Sequence, residues 1–165
     1  AGAPRGAALR VLSAALVCAS GGERLPRPER VCALLERLGE GGCFTASLAG
    51  ARVEAAAARL SIMREAGERR RGGQTMEAMP LRPGEAAVWD GRYEITAAAE
   101  GLAVQALAGL ASRLDAGQRA ALRAVPPAAR LGLPAIDRKQ SDYSDTENSG
   151  GQHCACTLTH VDSSH

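Results

Sequence analysis

Four residues near the C-terminus carry side chains that can bind a metal or act as a nucleophile. The segment HCAC…H places His153, Cys154, Cys156 and His160 within eight residues. Structural zinc sites use a CxxC knuckle or a longer regular spacing, which this segment lacks. A catalytic thiolate needs a rigid, electropositive setting, and the surrounding sequence is acidic and rich in serine. We therefore predict neither a metal site nor a catalytic thiol here.

A second chemical possibility is a phosphate-binding loop. Ser20-Gly21-Gly22 resembles the start of the SGGxDS loop that binds pyrophosphate in the N-type ATP pyrophosphatases. Arg24 and Leu25 stand where that loop has Asp-Ser, and a helix rather than a strand is predicted before the glycines. Because glycine is favoured directly after a helix, we interpret the two glycines as a helix end. No catalytic residue is predicted in this chain.

Arginines are the stronger candidates for binding. Arg64, Arg69, Arg70 and Arg71 lie at the end of a predicted strand and in the loop that follows, and Lys139 is the sole lysine. A guanidinium can form two parallel hydrogen bonds to a phosphate, so we predict that these four contact an RNA backbone. The alternatives are a solvated loop partly neutralised by neighbouring glutamates, and arginine usage that only reflects a GC-rich genome.

A further candidate surface lies in the stretch GEAAVWDGRYEIT. The Asp-Gly dipeptide at 90–91 favours a two-residue hairpin turn, because both positions need positive φ. Such a turn pairs Trp89 with Arg92 on one face, where they could stack on a base or ribose and are predicted as RNA-contacting residues. The preferred interpretation of Trp89 is structural, as the cover of an Ala-rich core. The opposite face, predicted to pack inward, carries Val88, Tyr93 and Ile95.

Elements that could position these residues are predicted by periodicity, and together they indicate an α+β fold. Residues 1–65 are predicted to form an accessory domain of helices and an antiparallel meander. Its helices are predicted over 5–18 and 28–39, and its strands over 43–48, 51–55 and 59–64. Residues 66–84 mix charge, glycine and proline without periodicity, which is typical of a linker or mobile loop.

A second, smaller α+β domain is predicted over residues 85–136, with an incomplete domain as the alternative. It contains a hairpin at 86–96, a strand at 102–107, and a helix at 116–124 that opens with a capping box. From Asp137 the composition changes abruptly to polar residues. Residues 137–165 are therefore predicted to be disordered, and the change is abrupt enough to suggest a foreign origin.

Composition narrows the class of protein. Of the 165 residues, 45% are apolar but only 2% are aromatic, so the core must be built from Ala, Leu and Val. The five cysteines are odd in number and mostly far apart, which favours a reducing cytoplasm. No segment reaches the roughly 18 apolar residues that a membrane-spanning helix needs. We predict a cytoplasmic protein without a membrane partner.

Three segments carry a resemblance to the C-terminal region of bacterial tRNA(Ile)-lysidine synthetases. LAGARVEAAAARLSIMREAG at 48–67 is similar to the small strand meander of that family. LRPGEAAVWDGRYEI at 81–95 is similar to the WDGR-F/Y strand that begins its last domain. AALRAVPPAARLGLPAI at 120–136 resembles a late segment that ends in Leu-Pro-Ala. The resemblance covers residues 1–136 and stops where the composition changes.

This resemblance implies a ligase that uses ATP and Mg to join lysine to the wobble cytidine of a minor isoleucine tRNA. In the family the ATP and lysine sites lie in an N-terminal domain whose SGGxDS loop this sequence lacks. The C-terminal region grips tRNA, especially its acceptor stem. The chain is thus expected to be a tRNA-binding accessory part, without a cofactor of its own and inactive alone. The alternative is a non-catalytic protein-interaction or structural domain with no role in RNA binding.

Overall fold

The structure, a computed structural model, describes residues 4–56, 59–67 and 76–138, together with the backbone of a strand at Cys156–His160. The chain divides into two compact units, the first ending at Thr75 and the second beginning at Met76. Each unit combines helices with small antiparallel sheets. The predicted α+β class is therefore confirmed.

Two helices begin the first unit, α1 at Arg5–Ser20 and α2 at Pro28–Gly39. α1 ends at Gly21, which adopts a left-handed conformation (φ 68°) and donates its N–H to the carbonyl of Val17 at 3.0 Å. Because a left-handed residue favours glycine, this geometry explains why the helix stops there. The interpretation of the two glycines as a helix end is confirmed. Pro28 occupies the first turn of α2, where its missing N–H has no partner to lose.

A three-stranded antiparallel meander follows, with β1 at Phe44–Leu48, β2 at Ala51–Ala56 and β3 at Arg59–Arg64. Its register aligns Ala46, Val53 and Ile62 across the three strands. The face that carries these side chains packs against the two helices and closes the core of this unit. The largest fully buried members of that core are Leu16, Val31 and Val53.

The second unit contains two three-stranded antiparallel sheets, ordered β4-β7-β8 and β5-β6-β9. The strands are β4 (Met79–Pro80), β5 (Ala86–Trp89), β6 (Tyr93–Ala97), β7 (Leu102–Ala106), β8 (Pro134–Arg138) and β9 (Cys156–His160). A 3-10 turn at Ala111–Arg113 leads to the helices α3 (Ala116–Arg123) and α4 (Pro127–Arg130). The core of this unit is centred on Trp89, Ile95 and Val104, all at most 2% exposed.

The predicted capping box at the start of α3 is confirmed. The Asp115 carboxylate accepts the backbone N–H of Gln118 at 2.7 Å, and the Gln118 side chain accepts the backbone N–H of Asp115 at 3.0 Å. These two bonds satisfy N–H groups that the first turn of a helix leaves without partners. They fix the residue at which α3 begins and the direction of the helix relative to the preceding loop.

Two segments differ from their sequence-based descriptions. Met76 and Leu81, inside the segment predicted as a linker, are buried in the core of the second unit. Asp137 and Arg138 belong to β8, and β9 lies within the segment predicted to be disordered, paired in register with β6. Averaged composition hides such short stretches, because a few β-favouring residues suffice for one strand. Residues 139–155 and 161–165 of that segment, with His153 and Cys154, lie outside the described residues.

In the ranges that the structure describes, no helix is both long and apolar enough to cross a lipid bilayer.

Candidate nucleic-acid interface

Arg64, predicted to contact RNA, is buried inside the first unit and only 6% exposed. It ends β3 opposite Ala51, on the face of the sheet that packs against the helices. Its Nη1 donates a hydrogen bond to the carbonyl oxygen of Ser20, at the C-terminus of α1. The last carbonyls of a helix carry partial negative charge, so a guanidinium is stabilised there. The predicted exposed position is therefore corrected: strand alternation turns Arg64 inward, where it joins the sheet to a helix.

We expect Arg64→Ala to lower the free energy of unfolding by about 1–3 kcal/mol, because it removes the donor to a buried carbonyl. Arg59→Ala is the matched control, since Arg59 is an exposed arginine in the same strand. The measurement is thermal unfolding followed by far-UV circular dichroism. Equal melting temperatures for the two variants would contradict this role for Arg64.

The hairpin that carries Trp89 has a three-residue loop, not the predicted two-residue loop. Trp89 pairs with Tyr93 across the strands, and Asp90 (φ 54°) and Gly91 (φ 63°) take the expected positive φ values. Arg92 is the additional residue, and its N–H donates to the Trp89 carbonyl at 3.3 Å. A shift of one residue moves side chains to the opposite face of a strand. The burial predicted for Val88 is therefore wrong.

Trp89 lies in the core, at 2% exposure, whereas Val88 is 52% exposed. The indole Nε1 donates to the backbone carbonyl of Glu77 at 3.0 Å, and the ring lies 6.1 Å from that of Tyr93 between centroids. The position of Trp89 thus supports the interpretation that it packs in the core. A base cannot stack on a ring that is enclosed in this way.

Arg92 is also buried, at 8% exposure. Its Nε and Nη2 contact Asp90 Oδ2 at 2.8 and 2.6 Å, and its Nη2 donates to the carbonyl of Gly132 at 2.6 Å. The guanidinium lies 4.9 Å above the Tyr93 ring. Arg92 therefore fastens the hairpin to the segment after α4. Arg92 was predicted to face outward, and its burial corrects that prediction. The sequence did not reveal the contact because Gly132 lies forty residues later.

Arg69, Arg70 and Arg71 lie outside the described residues, so their predicted contact with RNA stays a prediction. Several exposed arginines elsewhere are engaged locally. Arg5 pairs with Glu36 at 2.7 Å, and this hydrogen bond raises the pKa of Arg5. Arg37 lies 4.2 Å above the ring of Phe44. The carboxylate of Glu36 offsets the charge of Arg5, and both contacts restrict the side chains, so these arginines are less available to a ligand.

Charge is segregated within the second unit. Residues 76–106 contain two arginines and five carboxylates, whereas residues 107–138 contain five arginines and two carboxylates. The formal charges of the two segments are therefore −3 and +3. From residue 116 to residue 136 there are three arginines and no acidic residue. Arg119 and Arg123 are exposed one helical turn apart on α3.

A groove of about 730 Å³, lined by both apolar and charged residues, lies on the other side of α3. Leu122 of α3 and Val125 just after it line one wall, and Leu107, Leu133 and Ile136, in β8 or next to β7 and β8, line the other. Charged side chains, among them Asp137 and Arg138, also line the groove. No residue of α3 is fully buried. The helix thus separates two surfaces of different character, an arginine face toward solvent and an apolar face toward the groove.

A known protein shares much of this sequence. The chain is 52% identical over 133 residues, or 81% of its length, to a tRNA(Ile)-lysidine synthase of Caulobacter vibrioides. The chain is related to the tRNA(Ile)-lysidine synthases. The match spans 32% of the length of that relative, which is consistent with a piece from the C-terminal region. No protein-family model and no solved structure matches the chain.

Relationship to a tRNA(Ile)-lysidine synthase confirms the resemblance recognised in the sequence. The structure removes Arg64, Trp89 and Arg92 from the predicted surface, because each is buried. Sequence reasoning did not single out Arg119 and Arg123. The sequence could have indicated them, because residues 116–136 contain arginines and no carboxylate.

Proposed function

We propose that this chain is a tRNA-binding accessory portion of a tRNA(Ile)-lysidine synthase. The complete enzyme would ligate lysine to the wobble cytidine of a minor isoleucine tRNA. ATP and Mg would be bound by another domain of the enzyme, because the ATP-binding loop of the family has no counterpart in this sequence. The observation that carries the proposal is the 52% identity over 133 residues to a tRNA(Ile)-lysidine synthase.

Physical chemistry supports a role in binding an extended anion. Arginine is almost the only basic residue, and the arginines of residues 107–138 outnumber the carboxylates five to two. Guanidinium groups bind phosphates with two hydrogen bonds and release condensed counterions from RNA. A surface with this composition gives affinity without reading a base sequence, which suits an accessory role.

The first test is the salt dependence of tRNA binding by the whole chain. We expect affinity to fall linearly with salt concentration on logarithmic axes. Replacing Arg69, Arg70 and Arg71 together by Ala should reduce the slope by about one for each arginine that contacts a phosphate. The charge-conserving triple Lys variant is the control, and its slope should be close to that of the wild type.

Absence of salt-dependent tRNA binding by the wild-type chain at low salt would overturn the proposed function. The protein-interaction alternative would then be favoured, and the groove between α3 and β8 is the observation that supports it. An unchanged slope in a folded triple Ala variant would remove only these three residues from the contact surface.

A further inference from the structure

The outward face of α3 carries two arginines that the core does not use. Arg119 and Arg123 are exposed, and within residues 76–138 neither forms a salt bridge. We propose that this face binds the phosphate backbone of tRNA. The inference rests on the proposed function and assigns that binding to particular residues.

Geometry places the two arginines side by side. Residues four apart on a helix share a face, and their separation along the axis is about 6 Å at 1.5 Å per residue. The capping box at Asp115 fixes the start of the helix and uses the Asp115 carboxylate for a backbone N–H. Asp115 is the nearest carboxylate in sequence, one of its oxygens accepts a backbone N–H, and no acidic residue follows it until Asp137.

Of the three arginines of residues 116–136, Arg123 is the most available to bind a phosphate, because Arg119 and Arg130 already donate hydrogen bonds to backbone carbonyls. Arg119 Nη1 donates to the carbonyl of Leu114 at 2.5 Å, which holds its side chain along the helix. Arg130 donates to the carbonyls of Val125 at 2.9 Å and Arg123 at 3.4 Å, at the C-terminus of α3. Among the described residues, no hydrogen-bond acceptor is assigned to the Arg123 guanidinium. Arg130 holds the end of the helix while Arg123 faces solvent.

The surroundings of this face favour a polyanion over a protein. Ala116 and Ala120 lie beside the arginines and are exposed. Small side chains allow a phosphate backbone to approach the guanidinium groups closely. Protein interfaces are enriched in aromatic side chains as well as in arginine, and this face has the arginines without any aromatic side chain. Ala121 and Leu122 of α3 instead line the groove.

The test uses the whole chain and its tRNA affinity across a salt series. We expect Arg119→Gln with Arg123→Gln to weaken binding at low salt by about tenfold or more and to reduce the salt slope by about two. The same two positions changed to Lys should restore most of the slope. Arg82→Gln is the matched control, since Arg82 is exposed but pairs with Glu85 at 3.5 Å in the acidic segment.

Melting curves of each variant show whether a loss of binding is due to unfolding. We expect substitutions at these exposed positions to leave the melting temperature unchanged. Wild-type binding with an unchanged slope in the folded double Gln variant would overturn the assignment to α3 and leave the proposed function standing. That outcome would favour an acidic protein partner for this face. Equal losses in the double Gln variant and in Arg82→Gln would also overturn it. Failure of the wild type to bind tRNA would overturn the proposed function itself.

Discussion

A Trp89→Ala variant is expected to lose about 3–5 kcal/mol of unfolding free energy, the range measured for large aromatic side chains removed from cores. Trp89 is the largest fully buried side chain of a core whose other buried members are Met, Leu, Ile, Val and Ala residues. Its loss also leaves the Glu77 carbonyl without the indole donor. A loss of this size is a large fraction of the roughly 5–15 kcal/mol that stabilises a typical domain, so the second unit should melt at a much lower temperature. Differential scanning calorimetry measures the change.

Val88→Ala is the matched control because it changes the neighbouring residue of the same strand. Val88 is 52% exposed, and surface substitutions of this kind change stability by about 0.5 kcal/mol or less. The contrast also tests the hairpin register, since a two-residue turn would bury Val88 instead. Comparable losses in both variants would argue against the three-residue loop.

The second large effect is expected at the buried ion pair. Asp90→Asn keeps a side chain that tolerates positive φ, but it removes the charge that faces Arg92. Leaving one member of a buried pair without its partner costs about 3–5 kcal/mol. We expect a decrease of this order in the free energy of unfolding, measured by chemical denaturation. The Asp90 side chain is 0% exposed and that of Arg92 is 9% exposed, so solvent compensates little.

Glu85→Gln is the control, because it neutralises the acid of an exposed pair in the same unit. Arg82 and Glu85 are 80% and 64% exposed and lie 3.5 Å apart, and such pairs contribute about 0–1 kcal/mol. A double-mutant cycle of Asp90→Asn with Arg92→Met gives the coupling between the two residues. An interaction free energy near zero would show that Asp90 and Arg92 contribute to stability independently of each other.

Features governed by local sequence were predictable. The ends of α2 agree with the prediction because Pro28 and Gly39 mark them, and α3 begins where the capping box predicts. The meander followed from short runs separated by small turn residues. In each of these cases the determining residues lie within a few positions of one another, where propensity and capping operate.

Features set by distant partners were not predictable. The Asp-Gly dipeptide correctly indicated positive φ, but the loop contains Arg92 as a third residue, and Arg92 bonds to Gly132 forty residues later. Strand alternation places Arg64 on the inner face, but the carbonyl of Ser20 that accepts its hydrogen bond lies forty-four residues earlier, and nothing in the sequence indicated that partner. Arginine type alone does not say whether a guanidinium faces RNA or a backbone carbonyl, since both offer it oxygen acceptors.

The position of Trp89 gives the chain a built-in optical probe. The chain has one tryptophan and two tyrosines, and none of them falls before Met76. Fluorescence excited at the red edge of the indole band therefore reports on the second unit alone, while the first unit is silent. Far-UV circular dichroism reports on both units. Transitions that coincide in the two signals indicate that the units melt together, and transitions that separate assign a midpoint to each.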